Sequence, residues 1–176
     1  CDKIQDPDKR DDCYLPIGVA SQGDDTCSKV QNLVKKNRCY KNVGVNKQDL
    51  AICNKVQDKN VKEECYAYVG GAKGDLQICS QVETQGWKDI CFSLAATTKR
   101  DTKICEQILN QDQKDGCYYG ISEYITDESI CEKIISFDYR NNCYLHVATV
   151  KKDSNLCNKI TDQDQKDVCI QFLKNN

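Results

Sequence analysis

The sequence of 176 residues has no methionine, one histidine, one tryptophan, two prolines and nine glycines. Each shortage excludes something. Without methionine, a common companion ligand of copper(I) is missing. A single histidine, His146, excludes most histidine-based zinc sites and any array of them. Proline and glycine are too scarce for the many turns of a β-solenoid, and the alternating pattern of strands is absent. No apolar run approaches the ~18–20 residues of a membrane span. With 25 basic and 27 acidic residues, a net charge of −2 and no block of like charge, nucleic acid is not expected as a partner. Leu, Ile, Val and Phe make up only about a fifth of the chain, close to the level that marks disorder. A core built mainly from aliphatic residues is therefore not expected.

What is abundant is cysteine, at 14 residues. The cysteines stand at 1, 13, 27, 39, 53, 65, 79, 91, 105, 117, 131, 143, 157 and 169, in strictly alternating steps of 12 and 14. The chain is thus one repeat domain, 1–176, with copies starting at 1, 27, 53, 79, 105, 131 and 157. A fixed period of this length signals a solenoid.

Aligning the copies on their first cysteine exposes the columns. Position 4 is Ile or Val throughout (Ile4, Val30, Val56, Val82, Ile108, Ile134, Ile160). Position 6 holds Asp, Asn, Ser or Thr, and position 23 holds Asp49, Asp75, Asp101, Asp127 and Asp153. Both columns carry residues that cap helix N-termini. Position 10 is always basic, position 14 is aromatic until Ile170, and position 18 is small until Lys174. The pattern predicts a short helix of about eight residues ending at position 5 and a long one of about fourteen over positions 7–20. The fold class is all-α: a right-handed α-solenoid of about seven helical hairpins.

Cysteines 12 apart on one straight helix would lie ~18 Å from each other, whereas a disulfide needs Cα atoms within ~7 Å. A turn near position 6 or near positions 21–23 satisfies this, which leaves two pairing frames. Parity selects the frame that uses every cysteine: Cys1–Cys13, Cys27–Cys39, Cys53–Cys65, Cys79–Cys91, Cys105–Cys117, Cys131–Cys143 and Cys157–Cys169. The other frame would leave Cys1 and Cys169 single. Bridges of this kind stiffen each hairpin, and stacking is left to columns 4, 14, 17, 18 and 26. Arg10 over Tyr14, or Lys62 over Tyr66, would be cation–π pairs one helical turn apart.

No C-x-x-C pair, glycine-rich phosphate loop or nucleophile elbow occurs. Adjacent carboxylates such as Asp11 and Asp12, or Glu63 and Glu64, read as a solvated face. His146 reads as a surface or groove histidine without catalytic duty. No enzyme activity, cofactor or dedicated metal site is expected. Disulfides persist outside the reducing cytosol, so the expected location is secreted or cell-surface. The first copy lacks the Asp-x-x-Ile lead-in of later copies, which predicts further residues upstream. The last copy reads as a cap.

The motif C-x-x-[IV]-x5-[KR]-x-x-C-[YFI] spans all seven copies. It resembles uncharacterised cysteine-rich helical repeats of secreted proteins, many of them archaeal. The general plan is also similar to disulfide-stapled Sel1-like and tetratricopeptide-type solenoids, whose repeats are longer. The resemblance implies an extracellular location and brings no activity or site residue with it.

The expected function is a non-catalytic secreted or surface structural protein, such as a subunit of a filament, sheath or surface layer. Its partners would be further copies of itself or other extracellular proteins. The alternative is a protein- or glycan-binding scaffold whose variable columns 15 and 16 line a groove, with Tyr118, Tyr119 and Tyr124 as the densest aromatic cluster. A second alternative is thiolate storage of a soft metal.

Overall fold

The computed structural model describes residues 1–21 and 23–175. They form an all-α solenoid of disulfide-stapled hairpins, with no strand among the described residues. The chain divides into two compact units, Cys1–Cys91 and Phe92–Asn176. The long helices are α1 (Pro7–Ser21), α3 (Leu33–Lys47), α5 (Lys59–Lys73), α7 (Gln85–Lys99), α9 (Gln111–Ser122), α11 (Phe137–Lys151) and α12 (Gln163–Lys174). The short ones are α2 (Asp24–Ser28), α4 (Leu50–Cys53), α6 (Leu76–Gln81), α8 (Thr102–Cys105) and α10 (Glu128–Glu132). Leu156–Lys159 takes 3₁₀ geometry at the equivalent place.

The cap columns explain why the helices start where they do. Asn32, Asp58, Asn110 and Asp162 each accept a hydrogen bond from the backbone N–H three residues on, at 2.9–3.1 Å. Asp49, Asp75, Asp101, Asp127 and Asp153 do the same two residues on, at 2.8–3.0 Å. Among the described residues, four long helices end on a left-handed residue at position 22: Gln48, Gly74, Arg100 and Lys152. Only one of the four is glycine, so composition gave no hint of this stop.

All seven bridges close within a repeat across 12 residues, with Cα–Cα distances of 5.3–5.9 Å. The short helices are briefer than the pattern predicts. After the first cysteine the backbone tightens into i→i−3 turns, as in Lys55 N–H to Ile52 O at 3.0 Å and Val56 N–H to Cys53 O at 3.1 Å. At position 6 it is extended, as at Asp58 with φ −70° and ψ 123°. The reason lies in the neighbouring repeat, where the N–H groups freed there find their acceptors.

Those acceptors are the residues at position 11. In the first unit, Asp11 accepts from the N–H groups of Gln31 (2.9 Å) and Asn32 (2.7 Å). Asn37 accepts from Gln57 at 2.9 Å, and Glu63 from Thr84 at 2.8 Å. In the second unit, Asp115 accepts from Ile135 (3.1 Å) and Ser136 (2.7 Å), and Asn141 from Thr161 (3.0 Å). Asp11 and Glu63 are therefore not a solvated face: they are 1% and 8% exposed. Each ties its own long helix to the start of the next one, which satisfies backbone donors that burial would otherwise strand.

Position 18 makes a second junction. A Cβ on Gly44 would stand 3.0 Å from Cys65 Sγ and 3.1 Å from Cys53 Sγ, and on Gly18 2.9 Å from Cys39 Sγ. The small column is the seat for the next repeat's disulfide. The bridges are thus part of the inter-repeat packing as well as local staples. Gly44→Leu is expected to cost about 2–3 kcal/mol by overpacking this seat, read as a lower urea midpoint. An unchanged midpoint would remove the seat from the account.

Around these junctions the apolar columns close the core. In the first unit it comprises Val30, Val56, Val82, Val43, Val69, Ile52 and Ile78; in the second Ile108, Ile134, Ala95, Ile121, Val147, Ile104 and Ile130.

Acid should loosen specific junctions. Burial alone would raise the Asp11 carboxyl, but the Asn32 and Gln31 N–H groups, with Lys35 and Arg10, hold it below its ordinary 3.8. Hydrogen bonds from Thr84 hold Glu63 below 4.5 against burial, with help from Lys59 and Lys88. A carboxylate held low in the folded state contributes stability above its unfolded pKa and loses it as pH falls through the folded one. Thermal stability is expected to hold from neutrality to about pH 4.5 and then to fall. Asp11→Asn should flatten part of that fall, since an amide fills the same column at Asn37 and Asn141. An acid response identical in the variant would refute the assignment.

Candidate functional site

Two surfaces present themselves for function: the aromatic column at position 14 and the exposed face of the long helices. At position 14 the expected cation–π pairs within one helix are not the ones formed. The cation comes from position 3 of the following repeat: Lys29 lies 5.6 Å from the Tyr14 ring centroid, Lys55 5.9 Å from Tyr40 and Lys133 5.4 Å from Tyr118. The tyrosine hydroxyl donates back to position 2 of its own repeat, from Tyr14 to Asp2, Tyr66 to Asn54 and Tyr118 to Glu106. Lys133 also sits 3.5 Å from Glu106. Acid, phenol and lysine form one element joining two repeats. The lysine column at position 3 was visible in the sequence, but its direction was not.

This places the tyrosine cluster. Tyr118 is a core residue, 2% exposed, and burial followed by the Glu106 hydrogen bond pushes its phenol well above the usual range. A ring so enclosed has no face left for a ligand, which removes it from the predicted contact surface. Tyr119 points elsewhere, with its ring 5.8 Å from Tyr139. Tyr124 is exposed and carries the Arg100 guanidinium 5.4 Å above its ring. The three neighbours in sequence therefore serve three separate environments. His146 is half-buried, and its Nε2 has no hydrogen-bond partner among the described residues. All fourteen cysteines are in bridges and none is free, so this state offers no thiolate to a soft metal. No group of three or more His, Cys, Asp or Glu stands in ligating array among the described residues.

Columns 15 and 16 do line a groove in the first unit. Lys41 and Asn42 of α3 and Tyr68 of α5 border a concavity of about 420 Å³. Val19 and Val45 supply its apolar lining, and Asn46 and Glu64 complete it. Lys41 Nζ lies 2.8 Å from Glu64 Oε1. Beside it the Tyr68 and Trp87 rings approach to 6.3 Å, and the Trp87 indole N–H donates to Asn60 Oδ1 at 2.9 Å. Asn42 falls in variable column 16, where a groove was expected, while Asn46 lies in column 20, for which the sequence gave no such expectation.

No helix among the described residues is long and apolar enough to cross a membrane. No protein-family model, curated protein or solved structure matches the chain.

Proposed function

We propose that this chain is a non-catalytic structural repeat protein of the cell exterior that assembles end to end, as in a filament, sheath or surface layer. Support for the exterior comes from the cystines. The cystines from Cys27 onward are buried, and sulfurs of the second, third and fourth bridges pack on the preceding repeat at Gly18, Gly44 and Gly70, so there the stack as well as the hairpin uses oxidised sulfur.

The observation that supports assembly is that the contact by which one repeat stacks on the next recurs along the chain, with an acceptor at position 11 and an apolar residue at position 17. Position 17 is fully buried at Val43, Val69, Ala95, Ile121 and Val147, yet Ile17 is 48% exposed. Position 11 is buried at Asp11 and Asp115, yet Asp167 is exposed. Gln163 holds Asp167 at 2.9 Å as Gln111 holds Asp115 at 2.8 Å, so the acceptor is already posed for donors from a following repeat. The matching donors, the N–H groups of Gln5 and Asp6, have no acceptor among the described residues. A contact of this kind joins unlike faces, so a repeat that stacks on these groups, whether of this chain or of a second copy, meets them in the geometry used inside the solenoid. Lys174 occupies the small-residue seat, so the contact would rest on the acceptor and the apolar column.

Light scattering across a concentration series and electron microscopy test this. Species larger than one chain are expected, reduced by Asp167→Ala or Ile17→Asp. Dispersed single chains at every concentration would overturn assembly. Fourteen free thiols in protein isolated under alkylating conditions would overturn the exterior location.

A further inference from the structure

We propose that the groove bordered by α3 and α5 is a binding site for a neutral carbohydrate. This does not depend on end-to-end assembly.

The first argument is unused hydrogen-bonding capacity. The side-chain amides of Asn42 and Asn46, one helical turn apart, make no hydrogen bond among the described residues, and neither does the Tyr68 hydroxyl. Other asparagines of this unit are committed: Asn32 to a helix cap, Asn37 to a repeat junction, Asn54 to Tyr66 and Asn60 to Trp87. An amide carries both donors and acceptors, and two amides with a phenol match the mixed demands of vicinal hydroxyl groups.

The second argument is charge. Among the described residues, the ionised groups lining the groove are Lys41 and Glu64, and they neutralise each other at 2.8 Å with side chains only 20% and 21% exposed. An anionic ligand would have to break that pair, and so would a cationic one. Glu64 retains a second carboxylate oxygen able to accept from a hydroxyl.

The third argument is the ring surface. Tyr68 is 36% exposed and leans on Trp87, whose orientation is held by Asn60. The two ring planes are tilted by 57°, so it is Tyr68, which lines the concavity, on whose face the C–H side of a pyranose can lie, with Trp87 bordering it. Val19 and Val45 give the same kind of surface within. The volume of about 420 Å³ falls within the roughly 300–1,000 Å³ of small-ligand sites.

The repeat itself does not call for this arrangement. Columns 16 and 20 hold Pro16 and Ala20, Leu94 and Thr98, Gly120 and Tyr124, or His146 and Val150 in other copies. Only the second copy places an asparagine at both. A peptide fits less well, because the groove is walled by helices whose backbone groups are already paired and it offers no unpaired charge.

The test is ¹H–¹⁵N NMR of the oxidised chain with neutral tetrasaccharides of glucose, mannose, galactose and N-acetylglucosamine. At least one is expected to shift the Asn42 and Asn46 side-chain amides and the Trp87 indole N–H. Tyr68→Ala and Asn42→Ala should each weaken that binding roughly tenfold, a change of about 1.4 kcal/mol, while added salt leaves it unchanged. Intact mass showing seven bridges and an unaltered circular dichroism spectrum verify that the variants fold. The proposal is overturned if no saccharide moves these signals, if binding persists undiminished in both variants, if it collapses with salt, or if a random tetrapeptide mixture moves the signals where saccharides do not.

Discussion

Full reduction of the seven bridges is expected to abolish the cooperative fold at neutral pH. Each bridge closes a ring of about 13 residues, worth roughly 3 kcal/mol in the chain-entropy model. A domain of this kind holds about 5–15 kcal/mol in total, so even partial additivity over seven rings exceeds what is available. The aliphatic core offers little in reserve, since it consists of thin columns of Val and Ile between repeats. Reduction also acts across repeats, because the sulfurs of Cys53 and Cys65 fill the space above Gly44 and that of Cys39 the space above Gly18. Urea unfolding followed by circular dichroism, with and without reductant and with alkylation to count thiols, measures this. A fully reduced chain with an unchanged midpoint would show that the apolar columns suffice. Removing a single bridge, as in Cys105→Ala with Cys117→Ala, should lower stability by about 3 kcal/mol.

Asp115→Ala is expected to be the most damaging single substitution of a charged residue, at about 3–5 kcal/mol. The carboxylate is 1% exposed and accepts from the N–H groups of Ile135 and Ser136. Alanine would leave both donors without this acceptor at the start of α11, and each stranded buried donor costs about 1–3 kcal/mol. Asp115→Asn should cost less, since Asn37 and Asn141 show one amide oxygen serving the same junction. The exposed Asp112, one turn earlier, provides the control: its replacement by alanine should stay within about 0.5 kcal/mol. In a nearest-neighbour stack the loss is local, so hydrogen exchange in Asp115→Ala should quicken first around residues 131–143. Equal effects from Asp112→Ala and Asp115→Ala would show that position 11 has no special place in the junction.

The repeat junctions and the groove differ in how much the sequence revealed. The Asp167 acceptor follows from a column that recurs in every copy, so the repeat comparison contained it once the job of that column was known. Asn42, Asn46 and Tyr68 belong to columns that share no one residue type across the copies. The solenoid expectation sets successive long helices side by side with columns 15 and 16 along a groove, but it does not say in which copy the groove residues stay unpaired.

Residue order alone reveals what acts locally. Alternating steps of 12 and 14 set the repeat and, through parity, the pairing of Cys1 with Cys13 and of each later pair. Cap residues at positions 6 and 23 set where helices begin, because a cap acts on N–H groups two or three residues away. Tertiary structure decided everything that passes from one repeat to the next. Asp11 reaches residues 20 and 21 positions on, and Lys29 covers the ring of a tyrosine in the preceding repeat. Recurrence in a column shows that a residue matters but carries no direction. An acidic residue beside a basic one looks like solvated surface until the stacking shows that its side chain is buried against the next repeat's backbone. The short helices stop early for the same reason: the N–H groups at positions 5 and 6 find better acceptors across the junction than along their own helix.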